Sequence, residues 1–157
     1  MPARVSVHGG HSGQFCHHAS DSLEEIVQAY IEQQYSWVGI TEHTPPINED
    51  LLYPDEKEAG LLPEDLNRQF GEYIKECRRL QKKYKDRITL FVGMEIETYS
   101  GYEQFVKNLL EHFQPDYIVG SVHFVEDIAF DYSPEEYGRA VRAVGDIESL
   151  YCRYFDQ

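Results

Sequence analysis

The chain has 157 residues, 41% of them hydrophobic, and 14 basic against 28 acidic side chains give a formal charge of −14. That length buries about two thirds of the surface exposed on unfolding, so a single domain over residues 1–157 is expected. The charge argues against nucleic acid, whose binding relies on Lys and Arg displacing counterions. No apolar run approaches the roughly 18 residues of a membrane span, and the lack of a basic-then-apolar leader predicts a cytoplasmic protein with no membrane partner.

The first predicted element is a strand from Arg4 to His8. Ser22–Glu25 has the form of a capping box and opens a helix whose Leu23, Ile26, Val27, Tyr30 and Ile31 share one face. Trp37–Ile40 is a continuous apolar run, as in a strand buried on both faces, and leads to Glu42 and His43. Residues 44–62 are acidic, rich in proline and without periodicity, which predicts a long functional loop. Pro63 opens a helix with Leu66, Phe70, Tyr73, Cys77, Leu80 and Tyr84 on its packing face.

A third strand at Ile88–Val92 runs into Gly93–Glu97, and Ser100–Glu103 is read as a second capping box before a helix faced by Tyr102, Phe105, Val106 and Leu109. The fourth strand, Asp116–Val119, ends at His123. Ser133, Pro134 and Glu136 mark one further helix start, and Ile147, Leu150, Tyr151, Tyr154 and Phe155 face a last one. Strands alternating with helices predict an α/β fold of parallel βα units. Four strands cannot close a parallel barrel, so an incomplete barrel with two open edges is expected, with homo-oligomerisation through those edges.

In parallel βα folds the functional groups gather at the C-terminal ends of the strands. His8 and His11 follow the first strand, His43 the second, Glu95 the third and His123 the fourth, with His17 and His18 close by. Neutral imidazole is the commonest protein ligand for borderline divalent metals, so residues of these types at four strand ends point to a metal centre. Bound cations would also let so acidic a chain accept a small phosphate ester. The cysteines Cys16, Cys77 and Cys152 have no CxxC spacing and are expected as free thiols, Cys16 being the one near the candidate ligands.

These segments, taken in order, resemble the polymerase-and-histidinol-phosphatase (PHP) domain family, and most closely its histidinol-phosphatase branch. The motifs are His8–His11 for the family's opening HxH, Cys16-His17-His18-Ala19, Thr41-Glu42-His43, Gly93-Met94-Glu95-Ile96-Glu97 and Gly120-Ser121-Val122-His123. The resemblance covers nearly the whole chain. It implies a distorted (β/α)7 barrel with two or three divalent ions, zinc, manganese or iron, that hydrolyses a small phosphomonoester. By position it implies His8, His11, His18, His43, Glu95 and His123 as metal ligands, Glu95 bridging. Glu42 is assigned as a catalytic group, with hydrogen bonding that fixes His43 as the bland alternative.

Two departures from the family pattern stand out. The opening pair is His8-Gly9-Gly10-His11, one residue longer than HxH, so a bulge or glycine turn must bring the imidazoles together. The family's later motifs, a Gly-His-x-Asp strand and a final Asp-x-His, have no counterpart here. About four strands are therefore expected, with at least one metal position incomplete and the domain C-terminally truncated relative to the family.

The implied reaction is the conversion of L-histidinol phosphate to histidinol and phosphate in histidine biosynthesis. Two other readings are a PHP-type nuclease, which the charge disfavours, and a truncated PHP module that binds without catalysis. His17 and His112 are expected as bystanders. Glu97, two residues from Glu95 on the same face, is expected to serve in structure or orientation, or to join the cluster.

Overall fold

The computed structural model describes residues 3–16 and 19–157. Strand β1 (Arg4–Ser6) precedes helix α1 (Leu23–Glu32), and β2 (Tyr35–His43) leads through a 3-10 turn at Glu49–Leu51 to α2 (Pro54–Glu58) and α3 (Pro63–Lys83). Then come β3 (Thr89–Glu97), α4 (Tyr102–Phe113), β4 (Tyr117–Ser121), β5 (Phe124–Val125), β6 (Ile128–Ala129), α5 (Pro134–Val144) and α6 (Ile147–Phe155). β1 to β4 form one sheet in chain order, every neighbouring pair parallel, as the alternation of periods predicted.

The period-two alternation of β2 and β3 decides what each face meets. Val38 and Ile40 on β2 and Leu90, Val92, Met94 and Ile96 on β3 pack against Leu23 and Val27 of α1, Phe70, Tyr73 and Leu80 of α3, and Val106 and Leu109 of α4. Fully burying each such side chain contributes about 1.5–3 kcal/mol, so this face is the core. The opposite face carries Thr41, His43, Glu95 and Glu97 towards the strand ends, and the register sets His43 beside Glu95 and Glu97 beside Ser121.

Several expectations are corrected. β1 ends at Ser6, with a register irregularity between Arg4 and Val5, so His8 lies beyond the strand. The 44–62 segment holds α2 and the 3-10 turn, because Asn48 caps the turn and Pro54 starts α2. Ser100–Glu103 forms no capping box: the N-cap of α4 is Gly101 in the left-handed region, and the Ser100 amide donates to Asp127 Oδ1 at 2.8 Å. Trp37 is only partly buried and Phe91 is 39% exposed, so that end of the sheet is covered on one side alone.

The antiparallel β5–β6 hairpin was not foreseen. Its two-residue turn, Glu126-Asp127, takes positive φ at both positions, as a type I′ turn does, without the Asn-Gly that usually marks one. Phe124 packs with Leu51 and Tyr99, and Val125 packs with Ala140 and Leu150. The hairpin thus joins the 44–62 segment to α5 and α6.

Tyr117 of β4 lies across β3 and β2 on the site-bearing face, and its hydroxyl donates to the Val7 carbonyl at 2.7 Å. Room for it comes from Gly39 and Gly93, where an added Cβ would run into the Tyr117 ring. Gly39→Ala should therefore displace the ring and cost about 1–3 kcal/mol. Tyr117→Ala should absorb part of that cost, leaving a coupling of at least about 0.5 kcal/mol in a double-mutant cycle of denaturant melts. Strictly additive losses would contradict this packing.

Candidate metal centre

Strand ends and one glycine turn bring the candidate ligands together. Gly9 fits flush against β2, its amide donating to the Gly39 carbonyl at 2.7 Å, and Gly10 takes φ +88°, a left-handed value that strains other residues. The turn offsets the extra residue between His8 and His11. Their Nε2 atoms lie 3.3 and 3.4 Å from the same oxygen, Glu95 Oε2. From the other side, His123 Nε2 is 3.7 Å from Glu95 Oε1. His43 completes the set, its ring stacked on that of His11 with centroids 4.3 Å apart.

Each imidazole is held by its other nitrogen. His8 Nδ1 meets Thr41 Oγ1 at 2.5 Å, and His11 Nδ1 meets Glu42 Oε2 at 3.2 Å. His43 Nδ1 and His123 Nδ1 donate to Glu97 Oε1 at 2.8 and 3.0 Å. A neutral ring that uses its one N–H on a carboxylate presents its second nitrogen as a lone pair. The pattern is the one by which surrounding groups orient histidines that bind metals.

Glu95 gives the test of fit for a cation. It is 3% exposed, and among the described residues its Oε2 has no hydrogen-bond partner despite the two nearby nitrogens. A buried, unsatisfied carboxylate oxygen is costly, and a cation between it and the imidazoles removes that cost. Donor atoms of His8, His11 and Glu95 lie within 4.8 Å of one another, as do those of His43, Glu95 and His123. Glu95 belongs to both groups. These residues fit divalent ions.

Glu42, the candidate catalytic carboxylate, accepts from the Ser12 amide and hydroxyl at 2.7 and 3.0 Å as well as facing His11. It orients His11, while the partner expected for it, His43, is held by Glu97. Cys16 shares a third possible ligand group with His11 and Glu42. His17 and His18 lie outside the described residues, and His112 is exposed on α4. Sequence reading missed Tyr53, whose hydroxyl donates to Glu97 Oε1 at 3.2 Å, and Asp131, 3.9 Å from His123 Nε2. Tyr53 sits in an aperiodic segment, and Asp131 reaches the site only because the hairpin turns the chain back.

Burial alone would raise the Glu97 pKa, but hydrogen bonds from His123 and His43 outweigh it and hold the carboxyl at about 2. Burial would lower the His123 pKa, but the bond to Glu97 lifts it to about 9. In the metal-free chain the Glu97 contribution to stability is present above its ordinary 4.5 and lost as pH falls through about 2. That of His123 is complete below its ordinary 6.5 and lost as pH rises through about 9. Chelator-treated protein should therefore lose thermal stability between about pH 6.5 and 9, whereas metal uptake, which needs neutral imidazole, should strengthen over that range. A melting temperature that rises across this interval without metal would contradict the pairing.

The groups line a cleft of about 370 Å³ that continues past Tyr53, Asp55, Glu56, Asp131 and Tyr132. Among the described residues no Lys or Arg lines it. Beyond the histidines, a phosphate ester entering such a cleft needs positive charge from another source.

The chain is 42% identical over 97% of its length to a Schizosaccharomyces pombe protein assigned as a histidinol-phosphatase, of which it covers 49%. A crystal structure from Listeria monocytogenes, also assigned as a histidinol phosphatase, superposes with a TM-score of 0.77 at 25% identity, covering 98% of this chain and 58% of that one. A Lactococcus lactis histidinol phosphate phosphatase, crystallised with zinc, L-histidinol and phosphate, shares the fold at a TM-score of 0.58 and 19% identity, over 82% of this chain and 42% of that one. The chain spans about half the length of the curated relatives it matches. The family model of the PHP domain matches residues 9–157, and with four parallel strands ending in this histidine and carboxylate cluster the chain belongs to the PHP domain family.

Proposed function

We propose that the chain serves the metal-dependent hydrolysis of a small phosphomonoester, with L-histidinol phosphate as substrate. The observation that carries this reading is Glu95, a buried carboxylate whose Oε2 lacks a hydrogen bond and faces the Nε2 atoms of His8 and His11. Divalent ions held there supply positive charge for the phosphoryl oxygens and lower the pKa of a bound water to about 7. His8, His11, His43, Glu95 and His123 are the proposed ligands. Zinc, manganese and iron all suit a site of imidazoles and carboxylates, and the Lactococcus lactis relative was crystallised with zinc.

The protein's own groups account for the remaining features. Glu42 holds His11, and Thr41 holds His8, so neither ring must reorganise when charge arrives. Histidinol carries a basic amine and an imidazole, and acidic residues of the cleft complement them: Asp55, Glu56 and Asp131 all line it. Burial raises the Asp131 pKa, His123 opposing. A cation beside it would favour its ionised form.

The test is phosphate release from L-histidinol phosphate by the purified chain, with and without added zinc or manganese. The expected result is turnover that chelation abolishes and metal restores. Tight metal binding without turnover on any small phosphomonoester would replace the reading with that of a binding module. Release from single-stranded DNA ends instead would favour the nuclease reading.

A further inference from the structure

Glu97 has no place among the proposed ligands, yet it is 3% exposed and hydrogen-bonds to four side chains around the site. Its Oε1 accepts from His43 Nδ1 at 2.8 Å, His123 Nδ1 at 3.0 Å and the Tyr53 hydroxyl at 3.2 Å, and its Oε2 accepts from the Ser121 hydroxyl at 3.2 Å. We propose that Glu97 is a positioning residue that holds His43 and His123 in the same tautomer at once, with the hydrogen on Nδ1 and the lone pair on Nε2. This rests on the metal-centre reading above.

An ionised carboxylate can only accept, so both ring nitrogens that reach it must carry hydrogen. The register makes the double contact possible. Glu97 lies two residues beyond Glu95 on β3 and so on the same face, with His43 at the end of β2 on one side and Ser121, two residues before His123, paired with it on the other. The Oγ1 of Thr41, which holds His8, can donate or accept and so leaves that ring's tautomer open. Glu97 leaves no such choice to its two rings. Tyr53 brings the 44–62 segment to the same oxygen, so the cleft wall and two proposed ligands share one anchor.

Glu97→Leu removes the acceptor and keeps most of the bulk, whereas a glutamine could keep its oxygen on both rings and turn its nitrogen to the Ser121 hydroxyl. A leucine offers neither ring an acceptor, so nothing holds the hydrogen on Nδ1, and a neutral imidazole left to itself favours hydrogen on Nε2, where it cannot bind metal. The experiment records ring-nitrogen NMR of the metal-free protein, alkaline enough for neutral imidazoles, and measures zinc binding by calorimetry. In the unaltered chain His43 and His123 should both show hydrogen on Nδ1. In Glu97→Leu at least one should move it to Nε2, and zinc affinity should fall about 10- to 100-fold, the usual range for losing a group that orients a ligand.

Glu97→Asp keeps an acceptor-only group and should retain the Nδ1–H form with a smaller loss of affinity. Nδ1–H rings in Glu97→Leu with zinc affinity within about twofold of the unaltered chain would overturn the proposal. So would Nε2–H rings in the unaltered chain, a result that needs no variant to fold. If the unaltered chain took up no zinc, the metal-centre reading would fail, while the tautomer measurement would still decide the role of Glu97.

Discussion

Glu95→Gln is expected to strip the chain of bound divalent metal while leaving its fold intact. The amide keeps the shape of the carboxylate but removes the negative charge that both groups of candidate ligands share. Metal affinity should fall by at least about 100-fold, the upper end of what losing even a supporting group costs. Without metal the sign reverses. The buried Oε2 lacks a hydrogen bond in the native chain, whereas an amide in its place can donate to a neighbouring Nε2, so chelator-treated Glu95→Gln should be as stable as the native protein or about 1 kcal/mol more stable. Metal analysis alongside thermal melting checks both halves. A fully metallated Glu95→Gln protein would sink the assignment.

Tyr73→Ala should have the largest effect on stability. Tyr73 is fully buried on α3, packs against Phe15 and Phe70, and shares its hydroxyl between the Ile40 and Gly93 carbonyls at 2.9 and 2.7 Å. Truncating a buried aromatic costs about 3–5 kcal/mol, a large part of the 5–15 kcal/mol that typically holds a domain together. Tyr73→Phe keeps the ring and removes only the donor, so about 1–3 kcal/mol should be lost. Ile40 and Gly93 lie two residues before Glu42 and Glu95, so a loosened β2–β3 seam should also weaken metal binding. Denaturant melts of the two variants separate ring from hydroxyl. Equal losses in both would contradict this division.

The sheet was legible because its strands are separated by helices with clear faces: Leu23 and Val27, then Phe70, Tyr73 and Leu80, all lie where their spacing put them. His8, His11, His43, Glu95 and His123 were legible because parallel strands expose their C-terminal ends together. The two glycines between His8 and His11 gave the turn away in advance. What stayed hidden depends on contacts distant in sequence. Glu97 was readable as a neighbour of Glu95 but not as the group holding His43 and His123, since that depends on register across three strands. The hairpin at 124–129 is too short for periodicity to show, and its Glu126-Asp127 turn lacks the usual residues. Ser100 had the composition of a helix cap, but its amide found Asp127 of that hairpin instead.

The most direct test of the central claim is the divalent metal content of the purified chain after equilibration with zinc and removal of weakly held ions. At least one tightly bound ion per chain is predicted, lost on substituting Glu95 or His123. Less than one, unchanged by those substitutions, would contradict a metal centre built from these strand ends.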